Sequence, residues 1–152
     1  MKNTKIYHID FGRDIDTVVW EYTCLPENER IKLTNLHFVT TFDFIDKQNN
    51  YHFVMVTEQL QMEKYLKILT DNLILHFSHN ITDKLLRDEL DLSRFEKVLD
   101  KNSKVMWEKF RTKVEEWMLI NQELDNVLDI INLKGLEKLR NVDKKFLENY
   151  GK

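Results

Sequence analysis

The chain has 152 residues, 42% hydrophobic and 32% charged, with a net charge of −3. That is enough for one domain with its own core, and too apolar for a disordered segment. Cys24 is the single cysteine, which excludes a disulfide framework and a cysteine-based zinc site within one chain.

The acidic excess lies in residues 1–58, and the remainder is electrically balanced. Nucleic-acid affinity comes largely from phosphate neutralisation, so this balance disfavours nucleic acid as a partner. No apolar run approaches the ~18 residues of a membrane span, so no membrane association is expected and the cytoplasm, of a cell or an infected host, is the expected compartment. Alanine is absent while Asn, Lys, Ile and Leu abound. Alanine is the best helix former, so its loss points to codon bias in an AT-rich genome.

In chain order, residues 5–11 alternate and predict a first strand, followed by the turn signal at Gly12. Residues 17–25 are β-branched and aromatic, which predicts a second strand with Val18, Trp20, Tyr22 and Cys24 on one face. Cys24 then reads as a small buried hydrophobe. Pro26 breaks the pattern, and residues 31–39 fit either strand or short helix. Residues 40–45 and 51–57 predict a hairpin across a polar turn. The second hairpin strand is apolar on both faces, as a covered strand should be.

From about Gln59 the apolar period is helical. Residues 62–79 predict a deep helix, with His76 and His79 near its end. A short helix is expected near residues 83–90. Ser93 and Glu96 form a capping-box pattern that opens another, with Phe95, Val98 and Leu99 inward. Asn102 or Ser103 is then positioned to cap a long helix running to about Asn132, which spans roughly 42 Å at 1.5 Å per residue. Gly135 stops it, and residues 136–150 predict a last helix.

The long helix carries a heptad seam: Trp107, Phe110, Val114, Trp117, Asn121, Leu124, Leu128 and Ile131 follow one another at alternating three- and four-residue steps. An asparagine at a core position suits a two-stranded coil, which raises a homodimer through residues 104–132. Two tryptophans and a wide apolar flank favour packing within the domain instead. These eight residues are the candidate interaction residues, and the expected partner is another protein.

Enzyme signatures are sparse. The three glycines, at 12, 135 and 151, supply no phosphate-cradling loop, and no serine lies in a nucleophile elbow. Asp10-Phe-Gly12 repeats the letters of a kinase metal-binding motif, but too little chain precedes it for a kinase. A first strand ending in an aspartate resembles the opening of ribonuclease-H-like and actin-like folds. That resemblance implies Mg²⁺ binding at Asp10 with partners among Asp14, Asp16, Asp43 and Glu58, and a nuclease or phosphoryl-transfer activity. In the plainer reading these aspartates solvate a turn. His8, His37 and His52 fall in expected strands and could meet across the sheet.

The whole reads as a single α+β domain, with an N-terminal antiparallel sheet of about four strands (residues 1–58) and four or five C-terminal helices (residues 59–152), one of them long. The function expected is a non-catalytic protein-interaction module needing no cofactor. It would be a mobile-element or pathogen protein of defence-inhibitor or immunity type, or a small subunit of a larger assembly. The Mg²⁺-dependent enzyme centred on Asp10 is the alternative.

Overall fold

A computed structural model describes residues 1–97, 99 and 103–152. Val98 and Asn102, assigned above to a helix face and a cap, lie outside the described residues. The chain builds an α+β domain on a four-stranded antiparallel sheet, with strands β1 (Thr4–Asp10), β2 (Thr40–Ile45), β3 (Tyr51–Glu58) and β4 (Phe77–Asn80) in the order β2-β3-β1-β4.

The sheet is covered on both faces. Alternation along β1 sends Ile6 to one face and Tyr7 and Ile9 to the other. Helices α1 (Ile15–Thr23), α2 (Glu27–Thr34) and α3 (Gln59–Asp71) lie on the Tyr7 side. There Val18, Met62, Tyr65 and Leu69 pack against Met55 and Phe11. Helices α4 (Thr82–Leu86), α5 (Ser93–Glu96) and α6 (Lys104–Asn121) cover the Ile6 side. Trp107, Phe110, Val114 and Trp117 pack there on Phe42, Phe44 and Val56. This two-sided cover explains why β3 is apolar on both faces. Helix α7 (Leu124–Lys134), one 3₁₀ turn and helix α8 (Asn141–Asn149) follow, with a small core of Val127, Ile130 and Leu139.

Several local expectations are corrected. Residues 17–23 of the expected second strand belong to helix α1. The Asp14 side chain accepts hydrogen bonds from the Thr17 N–H at 3.3 Å and hydroxyl at 2.6 Å, which caps the first turn. In a helix Val18 and Tyr22 share a face one turn apart, and it is these that point inward, while Trp20 and Cys24 are exposed. Cys24 is therefore a surface residue. Residues 27–34 are likewise helical, with Pro26 at the cap position.

The expected helix over residues 62–79 ends at Asp71. Asn72 closes it, its side chain bonding the Ile68 carbonyl at 2.8 Å, and Leu73 turns left-handed at φ 58°. The chain then runs out as β4, so a strand stands inside the segment read as wholly helical, and the first segment holds two helices besides its strands. Ser93 makes no capping-box bond; Asp91 instead accepts the Ser93 N–H at 2.9 Å.

The seam helix is two helices. Gln122 and Glu123 are extended, at ψ 148° and 145°, and separate α6 from α7. With 18 residues, α6 is about 27 Å long. The break has a polar cause. The buried Gln122 amide donates to the Leu86 carbonyl at 2.8 Å and the Asp143 carboxylate at 2.7 Å. Its oxygen accepts the Glu123 N–H at 3.1 Å. Gly135 ends α7 as its spacing suggested, at φ 87°.

Candidate functional site

The seam residues divide at the break. Trp107, Phe110, Val114 and Trp117 are fully buried under the sheet. Asn121 faces neither a second coil nor open water: its amide donates to the Trp117 carbonyl at 2.9 Å and the Met1 carbonyl at 3.3 Å, tying the first residues to α6. Beyond the break the helix is rotated, and α7 buries Val127 and Ile130 in place of the expected Leu124, Leu128 and Ile131. Leu128 is exposed, and Leu124 and Ile131 are half-buried.

The aspartates near the first turn do not converge. Asp10 accepts the Gly12 N–H at 2.8 Å, Asp14 caps α1, and Asp16 lies in the first turn of that helix. Among the described residues no group of three or more His, Cys, Asp or Glu is placed to hold a metal ion. The Asp10 and Asp14 carboxylates here serve a turn and a helix cap.

Two of the three strand histidines do meet. His8 and His52 approach at 2.9 Å between His8 Nε2 and His52 Nδ1, and His52 Nε2 lies 2.8 Å from the Asp46 carboxylate. One assignment satisfies both contacts with two neutral rings. Asp46 accepts the His52 Nε2 proton, so His52 Nδ1 carries a lone pair, and His8 Nε2 donates to it. The Phe44 ring stacks on His52 at 4.6 Å, and Phe95 meets His8 edge-on at 5.2 Å. Burial, then the neighbouring His52, lowers the His8 pKa to about 4. Asp46 also accepts the Gln48 and Asn50 N–H groups in the β2–β3 turn. The relay therefore staples the hairpin turn to β1. His37 lies outside it, in the segment before β2, where its carbonyl accepts the Thr57 hydroxyl.

The least expected feature is on the surface. Trp20 is 68% exposed and Leu73 91% exposed, and both line a shallow groove of about 330 Å³ together with Cys24 and Ile74. The surface continues from there. Arg13 pairs with Glu21 and donates to the Leu75 carbonyl at 2.7 Å, which seats Leu75 beside α1. The Phe77 ring lies over Gly12, 3.4 Å from where a side chain there would begin. Leu75 and Phe77 are each about half exposed. Large apolar side chains grouped like this mark interaction sites more often than chance exposure. Sequence reasoning missed the surface because it placed Trp20 on a strand and Leu73 inside a helix. The available signal was Asp14-x-x-Thr17, a cap pattern that rotates Trp20 outward.

Comparison with known proteins adds no relative: no family model, no curated protein and no solved structure matches this chain.

Proposed function

We propose that this protein is a non-catalytic interaction module that docks another protein on the surface formed by Trp20, Leu73, Leu75 and Phe77. One observation carries the reading: a two-thirds-exposed tryptophan stands beside a nearly fully exposed leucine held in the left-handed conformation. Leucine in that conformation costs about 1–2 kcal/mol. The helix-closing bond from the Ile74 N–H to the Leu69 carbonyl at 2.9 Å holds it there, while its own side chain gains no packing in the free protein. Tryptophan is the residue most enriched at the centres of binding interfaces. Together they supply a rigid apolar anchor on a helix and a turn.

The candidates on α6 are occupied at home, and the docking surface proposed instead is the one around the α3–β4 turn, between α1 and the start of β4. The composition fits a mobile-element or pathogen protein that modulates a host or competitor protein by such docking.

A photo-crosslinking amino acid at position 20, in cells of the source organism, tests this. The expected result is a discrete adduct with one protein, lost when Leu73→Asn is added. The control position is Ile31, also exposed but on α2. Equal labelling from both positions, or none from position 20, sinks the proposal.

A further inference from the structure

We infer that the partner supplies an extended apolar segment that adds to the free edge of β4 as a fifth strand, with its flanks basic; this rests on the docking reading above. Strand β4 is the last in the order β2-β3-β1-β4 and, among the described residues, pairs with β1 alone. Its phase follows from two bonds. The Phe11 N–H bonds to the Tyr51 carbonyl at 3.0 Å, so odd residues along β1 bond toward β3. The Ile81 N–H bonds to the Ile6 carbonyl at 3.0 Å, so even residues bond toward β4. By antiparallel alternation Ser78 and Asn80 therefore turn their N–H and C=O groups away from β1.

This edge is unguarded. Phe77-Ser78-His79-Asn80 contains no lysine, glutamate or proline, the residues that usually protect an edge, and all four residues are exposed. The opposite edge strand carries Asp43 in its middle and packs against α6. Apolar side chains at the near end of β4 provide side-chain contacts next to the free backbone groups, the combination on which strand addition depends.

Area selects the occupant. Trp20, Leu73, Leu75 and Phe77 together expose roughly 500 Å² on typical side-chain areas. A stable contact between folded surfaces buries about 800 Å² per partner. A second copy of the chain would bring the same small patch. An extended segment of about five residues needs less apolar area, because backbone hydrogen bonds supply part of the affinity. Charge sets the flanks. Asp10, Asp14 and Asp16 lie at this end of the sheet, and Arg13 among them is already paired with Glu21.

The probe is a phage-displayed heptapeptide library selected against the full chain, with a chosen clone resynthesised carrying fluorescein. The expected clones alternate apolar residues between lysine or arginine ends. Fluorescence anisotropy should show binding weakened at least about tenfold by Ser78→Pro, which deletes an outward N–H without touching the β1 ladder. N-methylation along one edge of the peptide should weaken it similarly. The peptide arm stands even where Ser78→Pro disturbs the fold. Clones that need Trp20 but ignore both backbone changes would leave the docking surface standing and overturn strand addition. Recovery of no clone, or light scattering that reports a dimer built on this edge, overturns it as well.

Discussion

Trp117 makes the clearest single-residue case. Its ring is fully buried, and its indole N–H donates to the Thr4 carbonyl at 3.4 Å. Truncating a buried tryptophan removes transfer energy and leaves a cavity, at about 3–5 kcal/mol. Trp117→Ala is expected to cost that much in urea unfolding, with folding and any partner binding lost together. Trp20→Ala should instead leave the melting temperature within a degree or two while abolishing binding of the fluorescein-labelled peptide selected on this surface. His8 sets a pH dependence of definite sign. Its folded pKa is lowered to about 4, against about 6.5 unfolded. Above pH 6.5 both states are neutral and the fold loses nothing. As pH falls from 6.5 toward 4 the unfolded chain binds a proton that the folded chain refuses, so stability drops, by roughly 2–3 kcal/mol in all. His8→Gln keeps a donor for His52 and does not titrate; its denaturation midpoint should be flatter over that window. An unchanged slope would remove His8 from the account. Asp10 carries the opposing test. Thermal melts with added Mg²⁺ or Mn²⁺ should match those without, in wild type and Asp10→Asn alike. A shift abolished by the substitution would revive the metal reading.

At the level of elements, the turn between α3 and β4 invites substitution. Leu73 sits at φ 58° and is 91% exposed. Glycine adopts that conformation without strain, so Leu73→Gly is expected to stabilise the fold by about 0.5–1 kcal/mol while weakening docking. A loss of stability there would mean that the leucine packs on something in solution. The same turn shows why β4 was hidden in the sequence. Helix ends are usually marked by glycine or proline, and Asn72-Leu73 offers neither, so the apolar run from Met62 to Phe77 reads as one helix. The long helix was misread for a related reason. The steps from Trp117 to Asn121 and Leu124 keep heptad spacing across Gln122, yet spacing cannot register that Gln122 is drawn off by Leu86 and Asp143 from distant parts of the chain. Residues 17–25 show tertiary context overriding β propensity. The β2–β3 hairpin and β1 were legible because alternation and a polar turn are local signals. For the docking surface, Trp20 was visible as a residue, but its exposure depended on an element that had been assigned the wrong period.

Across the whole molecule, α7 and the later part of α8 share a small apolar core of their own, while Val142 at the start of α8 packs on the main core. A charged network links them. Arg140 pairs with the buried Asp143 at 2.7 Å and donates to the Leu85 carbonyl at 2.6 Å, while Gln122 joins Asp143 to the Leu86 carbonyl. Removing one member of a buried pair strands the other charge, at about 3–5 kcal/mol. Arg140→Met should therefore loosen residues 124–152 first. Limited proteolysis is expected to cut there while amides in β1 and β3 stay protected from exchange; simultaneous loss of both regions would contradict a separable unit. No helix among the described residues is long and apolar enough to cross a membrane.

The position of β1 also dictates an order of events in time. Tyr7 pairs with Met55 on one side and with Asn80 on the other. The first strand in the chain is thus an interior strand whose neighbours both arrive much later. Closing such loops costs entropy before any contact repays it. The β2–β3 hairpin, with its Asp46 turn, needs no distant partner and should form first, β1 docking onto it and β4 closing last. Folding-rate measurements on paired substitutions should find Phe42→Leu slowing folding and Ile81→Val mainly hastening unfolding. The strand that settles last is the one whose outer edge is left free for a partner.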